Sequence, residues 1–531
     1  MPRLDQFAGE RPVADAHKLR NRDATVARNV KLWSGSIEPL RDTALERTTA
    51  LAQTPEAIFR YSGDLWLEWE QAVDVVRSPV GNDPHDRVFF TGTGSPRVAD
   101  NTRATSGAGP FPGASLRLGV PAPSTAPALS KTGTPDDPNE LPETRFYVTT
   151  YVNAFAEEGP PSLSSVEIEV FTGESVVVTF PGAPSGSFEI TAVRIYRTNG
   201  GIFQFVGEAG IAASEFTDSV ATASLGEELA TTEWDMPPDD AAGMTSVAGA
   251  FLAAHRGNEV LLSEIGLPHA WPVRYRVPID TEVVGLGTFA STVVVCTKGK
   301  PYILSGTDPA SLSVAETEIR QSCTSARGIV STGAGVVYPS PDGLIYVSGA
   351  GAQLLTEAIF EREQWQALKP DSMRAVFWER LYLCFYDTGT ETAAFVINPE
   401  QPDSGVVFFD APAVGGLRHD LERDATYLAT GDEVREWDAG TPMTGRWRSR
   451  KIDAAAPVVL GVIRALADTH PVTLRAWADG ELVVERVVRD NAPRRFPPVR
   501  ARTWQIEVEL GAGAVRELAV SASISALRRG E

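Results

Sequence analysis

Cysteine and histidine are scarce in this chain: three cysteines, Cys296, Cys323 and Cys384, and six histidines stand among 531 residues. No two cysteines form a Cys-x-x-Cys pair, so neither a disulfide framework nor a Cys/His zinc site is encoded, and the odd count fits reduced, buried thiols. Long apolar runs are missing as well. No window approaches about 18 consecutive apolar residues, and the opening MPRLDQFAGERPVADAHKLR has no apolar core, so neither membrane insertion nor a secretory leader is expected. Positive charge is in deficit: 48 Lys+Arg against 69 Asp+Glu leaves −21, which excludes a general basic grip on nucleic acid. Catalytic signatures are absent too, with no H-E-x-x-H, G-x-S-x-G or G-x-x-x-x-G-K-[ST]. The expectation is a non-enzyme without metal or cofactor. His255 and His269 lie among strand segments and read as structural histidines bonded to turn backbone rather than as ligands or acid/base groups. Helix signals are few, chiefly LTEAIFEREQWQALKP, which Pro370 terminates.

What the chain does have is apolar residues (43%), 46 Gly and 38 Pro, a composition suited to many short strands joined by turns. An apolar run, a Gly-bearing turn and a second apolar run recur around Gly257, Gly299, Gly343, Gly389, Gly431 and Gly480, at spacings of 42, 44, 46, 42 and 49 residues. Glycine supplies the positive φ of a tight hairpin, and the flanks alternate apolar with polar as half-buried strands do. A strand-built period of roughly 40–50 residues is the size of one propeller blade; a generic antiparallel sandwich is the alternative. Similar units around Gly63 and around Gly92 and Gly94 are expected to begin the same ring.

The rhythm breaks at Asn101–Glu143, rich in Gly, Pro, Ser and Thr, which reads as a linker. Short alternating strands follow, and the run from Tyr147 through Gly159-Pro-Pro-Ser is similar to a fibronectin type III strand and turn. The predicted class is therefore all-β: a propeller-like ring of repeated hairpins with an inserted fibronectin type III-like β-sandwich and a small C-terminal β unit. The expected divisions are 1–120 for the N-terminal segment and first propeller strands, 121–222 for the sandwich, 223–440 for the main repeats, and 441–531 for the closing or flanking unit. That last segment has 15 Lys+Arg and 10 Asp+Glu, hence +5, whereas residues 1–440 carry −26.

In RWRSRK the cations Arg446, Arg448, Arg450 and Lys451 alternate with Trp447 and Ser449, so on a strand the arginines share one face. Such a face suits phosphate or an acidic partner, or is simply solvated. Most of the 69 acidic residues read as surface, because a glycosidase pair requires a carboxylate separation that spacing alone does not reveal. Eleven tryptophans raise carbohydrate stacking, but Trp66 and Trp69 face opposite sides of one strand, and Trp378, Trp437, Trp477 and Trp504 sit in or beside repeat strands, as core does.

Taken in order, several segments resemble the tail nozzle proteins, or tail tubular protein B type, of short-tailed double-stranded DNA phages. They are ATVARNVKLWSGSIEPLRD, YSGDLWLEWEQAVDVVRSPV, DRVFFTGTGSPRVAD, LRLGVPAPSTAP, ETRFYVTTYVNAFAEEGPPS, VRIYRTNGG, GNEVLLSEIGLPHAWPVRYR, YPSPDGLIYVSGAGAQLLTE, REQWQALKPDSMRA, RWRSRK and AWADGELVV. The resemblance implies a virion structural protein made in the host cytoplasm. It would form a homo-oligomer, a hexameric ring at the distal tail, attached to the adaptor protein of the portal complex and docking tail fibres or receptor-binding proteins. Double-stranded DNA would pass transiently and without sequence preference through the channel. Because a channel must be closed before infection, the turns Gly92, Gly94 and Pro96 and Pro341, Asp342 and Gly343 are candidate channel or gate loops. The competing reading is a carbohydrate-binding β-propeller acting as a receptor-binding protein or depolymerase.

Overall fold

A computed structural model describes residues 3–137 and 139–528. The regular structure of the described chain is nearly all strand; its three α-helices, Asn101–Ala104, Arg362–Ala367 and Ile524–Arg528, span at most six residues. The helix expected over LTEAIFEREQWQALKP shrinks to Arg362–Ala367, and Lys369 adopts a left-handed φ of 56° just before Pro370. Proline disfavours a helical residue before it, which stops the helix early.

The fold divides into two compact units: Met1–Ala72 with Cys296–Tyr302 and Glu316–Glu531, and Val73–Val295 with Ile303–Ala315. The first is organised by a curled, half-barrel sheet of twelve strands. Its path runs Arg3–Leu4, Val515–Ser521, Ile452–Ala467, Arg494–Leu510, Gly445–Ser449, Ala24–Arg28, Val407–Asp410, Thr392–Ile397, Leu381–Asp387 and Arg374–Trp378. Val472–Ala478 also pairs with Arg494–Leu510 and carries Glu481–Val488 on its other edge. The inward row of these strands supplies one apolar cluster that includes Trp447, Ile463, Leu474, Ile506, Val508 and Val520. Period-two burial explains the choice: Val472–Ala478 alternates buried with half-buried residues along its whole length.

Smaller sheets complete this unit. Val330–Ser331, Gly335–Ser340, Gly343–Ser348 and Gly351–Leu354 form a four-stranded meander. Leu417–Asp420, Ala425–Thr430 and Glu433–Glu436 form three strands of another, whose fourth strand is Ala44–Thr48 from the distant N-terminal region. The hairpin at Gly343 shows why glycine stands there: a Cβ would lie 2.1 Å from Thr356 Oγ1, and φ is 152°.

In the second unit, Asp74–Arg77, Val88–Thr91, Arg97–Ala99 and Leu116–Arg117 pair in chain order, as do Ala242–Val247, Phe251–Arg256, Glu259–Leu262 and Val277–Pro278. Val283–Phe289, Thr292–Thr297, Tyr302–Ser305 and Ser313–Glu316 also pair in chain order, and only part of that sheet falls within this unit. Each hairpin expected around Gly63, Gly92 and Gly94, Gly257, Gly299, Gly343, Gly389, Gly431 and Gly480 forms as a pair of neighbouring, hydrogen-bonded strands. The expected linker is partly strand instead. Leu116–Arg117 closes a meander, and Ala128–Gly133 pairs with Glu174–Thr179 over six residues. Its composition hides this because the second strand is mostly exposed and is held by backbone hydrogen bonds, which any sequence offers.

Ala128–Gly133, Glu174–Thr179 and Glu215–Asp218 make one three-stranded sheet, and Tyr147–Asn153, Ile190–Asn199 and Ile202–Gly210 another. Tyr147, Tyr151, Val176, Val178, Val193 and Ile195 belong to one core cluster that joins the two. Inside it a salt bridge is wholly buried: Arg197 Nη1 donates to Asp218 Oδ2 at 2.6 Å, and both side chains have no exposure. Tyr147 donates its hydroxyl to the same oxygen at 2.8 Å, and Arg197 Nη2 donates to Thr222 Oγ1 at 3.1 Å. Burial, ahead of the adjacent Asp218 charge, pushes the Tyr147 hydroxyl well above its usual pKa, so it remains a donor. Removing one partner strands the other without water. Asp218→Ala is expected to destabilise the full chain by about 3–5 kcal/mol, and Tyr147→Phe by about 1 kcal/mol, in urea titrations; a loss below that of Tyr147→Phe for Asp218→Ala contradicts the assignment.

Candidate functional site

Gly445–Ser449 has the alternation its sequence encodes: Trp447 and Ser449 are buried, Arg446 and Arg448 half-buried. Trp447 packs edge-on to Phe7 at 5.0 Å and donates Nε1–H to the Ala8 carbonyl at 3.1 Å. On the other face, strand register decides what each arginine meets. Arg448 lies opposite Glu507 and donates Nε–H to its Oε2 at 2.6 Å, with the guanidinium 4.1 Å from the Trp477 ring centroid. Glu507 is almost fully buried and also accepts from Arg475 at 2.8 Å, while Arg475 reaches Glu509 at 2.8 Å and Glu485 at 2.9 Å. Arg448 is thus committed within the chain.

Arg450 and Lys451 lie past the end of the strand. Arg450 donates to Asn21 Oδ1 at 2.9 Å and to the His17 carbonyl at 3.2 Å, and the Lys451 backbone N–H bonds Ala16 at 3.0 Å. Arg446 acts at longer range: its charge, with that of Arg28, lowers the pKa of both Glu10 and Asp410. Burial is the larger influence on Glu10 and wins, although the Ala27 N–H donates to its Oε1 at 2.6 Å, and the carboxyl rises to about 7. The four cations therefore do not act as one strip.

The two candidate gate turns differ. Gly92 and Gly94 are exposed at a hairpin tip with φ of 113° and 100°, whereas Pro96 is buried and its carbonyl accepts from Leu118 N–H at 2.9 Å. At the other turn, Asp342 pairs with Arg362 at 2.5 Å and accepts from Gln321, while the Pro341 carbonyl accepts from Gln366 and Ser340 Oγ donates to the Gly343 carbonyl at 2.8 Å. The Pro341–Gly343 turn is tied on several sides; among the described residues the Gly92–Gly94 tip is not.

The expected tryptophan core is present at Trp66, Trp378, Trp437 and Trp504, all buried; Trp477 is half-buried beneath Arg448, and Trp33 alone is exposed, at 40%. Trp69 is buried as well. All three cysteines are buried and free. His269 is buried edge-on to Trp234, and its Nδ1 lies 3.4 Å from Glu157 Oε1. It faces a carboxylate rather than the turn backbone its sequence suggested, because Glu157 arrives from a segment more than 100 residues away. Glu157 accepts from Arg87 at 2.5 Å and Asn153 at 2.8 Å. Burial would raise its pKa, but His269, Arg87 and Asn153 together overrule burial and hold it at about 2. A second alternation, Arg500-x-Arg502, follows the same rule as RWRSRK and was legible in the sequence: both arginines are exposed and Ala501 between them is buried, with Trp504 buried two residues further on.

Among the described residues no group of three or more His, Cys, Asp or Glu is placed to hold a metal, and no helix is long and apolar enough to cross a membrane. No family model matches the chain, and no curated protein matches it in sequence. Solved structures give distant likenesses. PorZ, a surface component of the type-IX secretion system of Porphyromonas gingivalis, is 11% identical at a TM-score of 0.25, covering 60% of this chain and 43% of its own. Apo AztD from Citrobacter koseri is 10% identical at 0.27, covering 72% and 100%. An exo-β-1,3-galactanase from Phanerochaete chrysosporium is 9% identical at 0.17, covering 91% and 99%. At these scores the likenesses carry no functional argument.

The two perturbed carboxyls make opposite predictions. Glu10, raised above its unfolded value of 4.5 to about 7, contributes stability that is complete below pH 4.5 and lost as pH rises through 7. Glu10→Gln, which mimics the protonated form, is expected to leave stability unchanged at pH 5 and to raise it by on the order of 1–3 kcal/mol at pH 8. Glu157, lowered from 4.5 to about 2, contributes stability present above pH 4.5 and lost as pH falls toward 2. Glu157→Gln should flatten that acid limb in thermal melts; a limb of unchanged slope contradicts the pairing with His269 and Arg87.

Proposed function

We propose that this chain is the structural subunit of a phage tail nozzle, a ring that DNA traverses on ejection. The observation that carries the reading is the ordered succession of segments, from ATVARNVKLWSGSIEPLRD to AWADGELVV, that resemble that family along nearly the whole chain. The four-stranded meanders are read as propeller blades, with Ala44–Thr48 supplying the outer strand of one of them. The two three-stranded sheets between residues 121 and 222 are read as the inserted fibronectin type III-like sandwich, and 441–531 as the unit that flanks the ring.

Electrostatics support the proposal. A charge of −21 per chain gives −126 for six copies, and acidic walls repel phosphate, so DNA slides without being held. The exposed Gly92–Gly94 tip is the better gate candidate, because the Pro341–Gly343 turn is tied to its surroundings. Adaptor, tail fibres or receptor-binding proteins are the partners this reading requires, and the virion tail its location.

Electron microscopy of the purified protein, alone and with its adaptor and portal neighbours, tests it. Six-fold class averages with an open axis are the expected result. Monomers or closed trimers in the presence of those neighbours overturn it.

A further inference from the structure

Within the first unit, the long strand Ile452–Ala467 changes character half-way. At Val462 and Ile463 it pairs with both Val515–Ser521 and Arg494–Leu510, and Val515–Ser521 continues beside it to Ala467, but before Val462 it pairs, among the described residues, with Arg494–Leu510 alone. Its register there jumps from Asp453 opposite Thr503 to Val458 opposite Ala501, so Ala454–Pro457 bulge against a single residue. Backbone N–H and C=O groups along this edge lack a neighbouring strand, and Val458 and Val459 are 39% and 48% exposed.

Beside the bulge lies a groove of about 570 Å³ lined by Ile452, Val458, Val459, Leu460, Trp504 and Arg450, among others. Trp504 is 2% exposed, and its indole Nε1–H has no hydrogen-bond acceptor among the described residues. An unpaired buried donor is unfavourable by roughly 1–3 kcal/mol and marks a place where an incoming acceptor gains the full bond. Arg500 and Arg502 precede Trp504 on the same strand, and Arg500 stands directly opposite Val459, which lines the groove. Both arginines are exposed, and neither guanidinium has an ion pair among the described residues. The acid of the groove, Asp453, is already bound by His17 and Thr503, each at 2.7 Å.

We infer that this groove docks an extended, acidic segment of a partner protein, one that alternates aliphatic residues with Asp or Glu. The aliphatic side chains enter beside Val458 and Val459, the carboxylates pair with Arg500 and Arg502, and a carbonyl or carboxylate oxygen accepts from Trp504 Nε1. Charge complementarity selects the acidic sequence: this face lies in the segment that carries +5 within a chain of −21. The apolar walls and the open strand edge favour peptide over nucleic acid, since β-strand addition uses both. The inference holds independently of the nozzle reading, so either can fail alone.

The test uses the full chain and a fluorescein-labelled peptide of about ten residues alternating Val and Glu, with a Val-Lys peptide and a short DNA duplex as comparators. The Val-Glu peptide is expected to bind and the Val-Lys peptide not to. R500E with R502E, both on the surface, should weaken binding about tenfold or more, and W504F, which keeps an aromatic ring but removes the N–H together with one ring of the indole, about threefold or more. Failure of the Val-Glu peptide to bind, or equal binding to R500E/R502E, overturns the inference, and unchanged affinity in W504F overturns the seat assigned to the acceptor. Duplex binding that equals peptide binding and is lost in R500E/R502E assigns the face to nucleic acid instead. A concentration-dependent dimer in sedimentation, abolished by R500E/R502E, assigns it to a second copy of this chain; either result overturns the partner-segment reading.

Discussion

The first unit depends on one short strand. Ala24–Arg28 pairs antiparallel with Gly445–Ser449 on one side and makes a parallel contact with Val407–Asp410 through Arg28 and Phe408 on the other. Without it, the path of the twelve-stranded sheet falls into two pieces. Ala24 and Ala27 are buried on the strand, and Glu10, bridging both Ala24 and Val406, fixes it further by accepting from Ala27 N–H. These pairings join residues near 25 to residues beyond 400, so the sheet forms only after a long loop has closed. Closure entropy grows slowly with length, which makes such a pairing tolerable in stability but late in folding.

Charge placement follows from the same architecture. A chain of −21 buries some of its carboxylates, and those are met by arginine. Glu507 lies between Arg448 and Arg475, Asp218 against Arg197, and Glu157 against Arg87. Arginine suits this role because its planar fork serves two acceptors and its charge survives burial. Glu10 is the exception. Its helpers, Arg28 and Arg446, are outweighed by burial, so its carboxyl is pushed up to about 7.

Hairpins were the legible part of the sequence. Around Gly257, Gly343 and Gly431, glycine and period-two flanks both act within about a dozen residues, so local pattern sufficed. Ala44–Thr48 was not legible as the fourth strand of a sheet near residue 430, nor Ala128–Gly133 as a strand at all, because main-chain pairing leaves little trace in side-chain type. Among the candidate cations, alternation correctly set Arg446 and Arg448 on the face opposite Trp447. It did not reveal that Arg448 faces Glu507, since that depends on register across 59 residues. His269 illustrates the same limit: its neighbour Glu157 comes from another segment altogether.

The arginines left over mark where that balancing stops. In the C-terminal segment, Arg448, Arg464 and Arg475 meet carboxylates inside the sheet, while Arg500 and Arg502, exposed at its bulged margin, have no ion pair among the described residues. A sheet margin with a free strand edge is ordinarily protected by charge, because like charges discourage pairing with a second identical edge. Two exposed arginines beside Val458 and Val459 serve that purpose: they repel another cationic margin and leave the edge open to an acidic strand. The bulge at Ala454–Pro457, with proline unable to donate to a ladder, restricts pairing further. Protection against self-association and selection for an acidic strand are therefore the same electrostatic property of this margin.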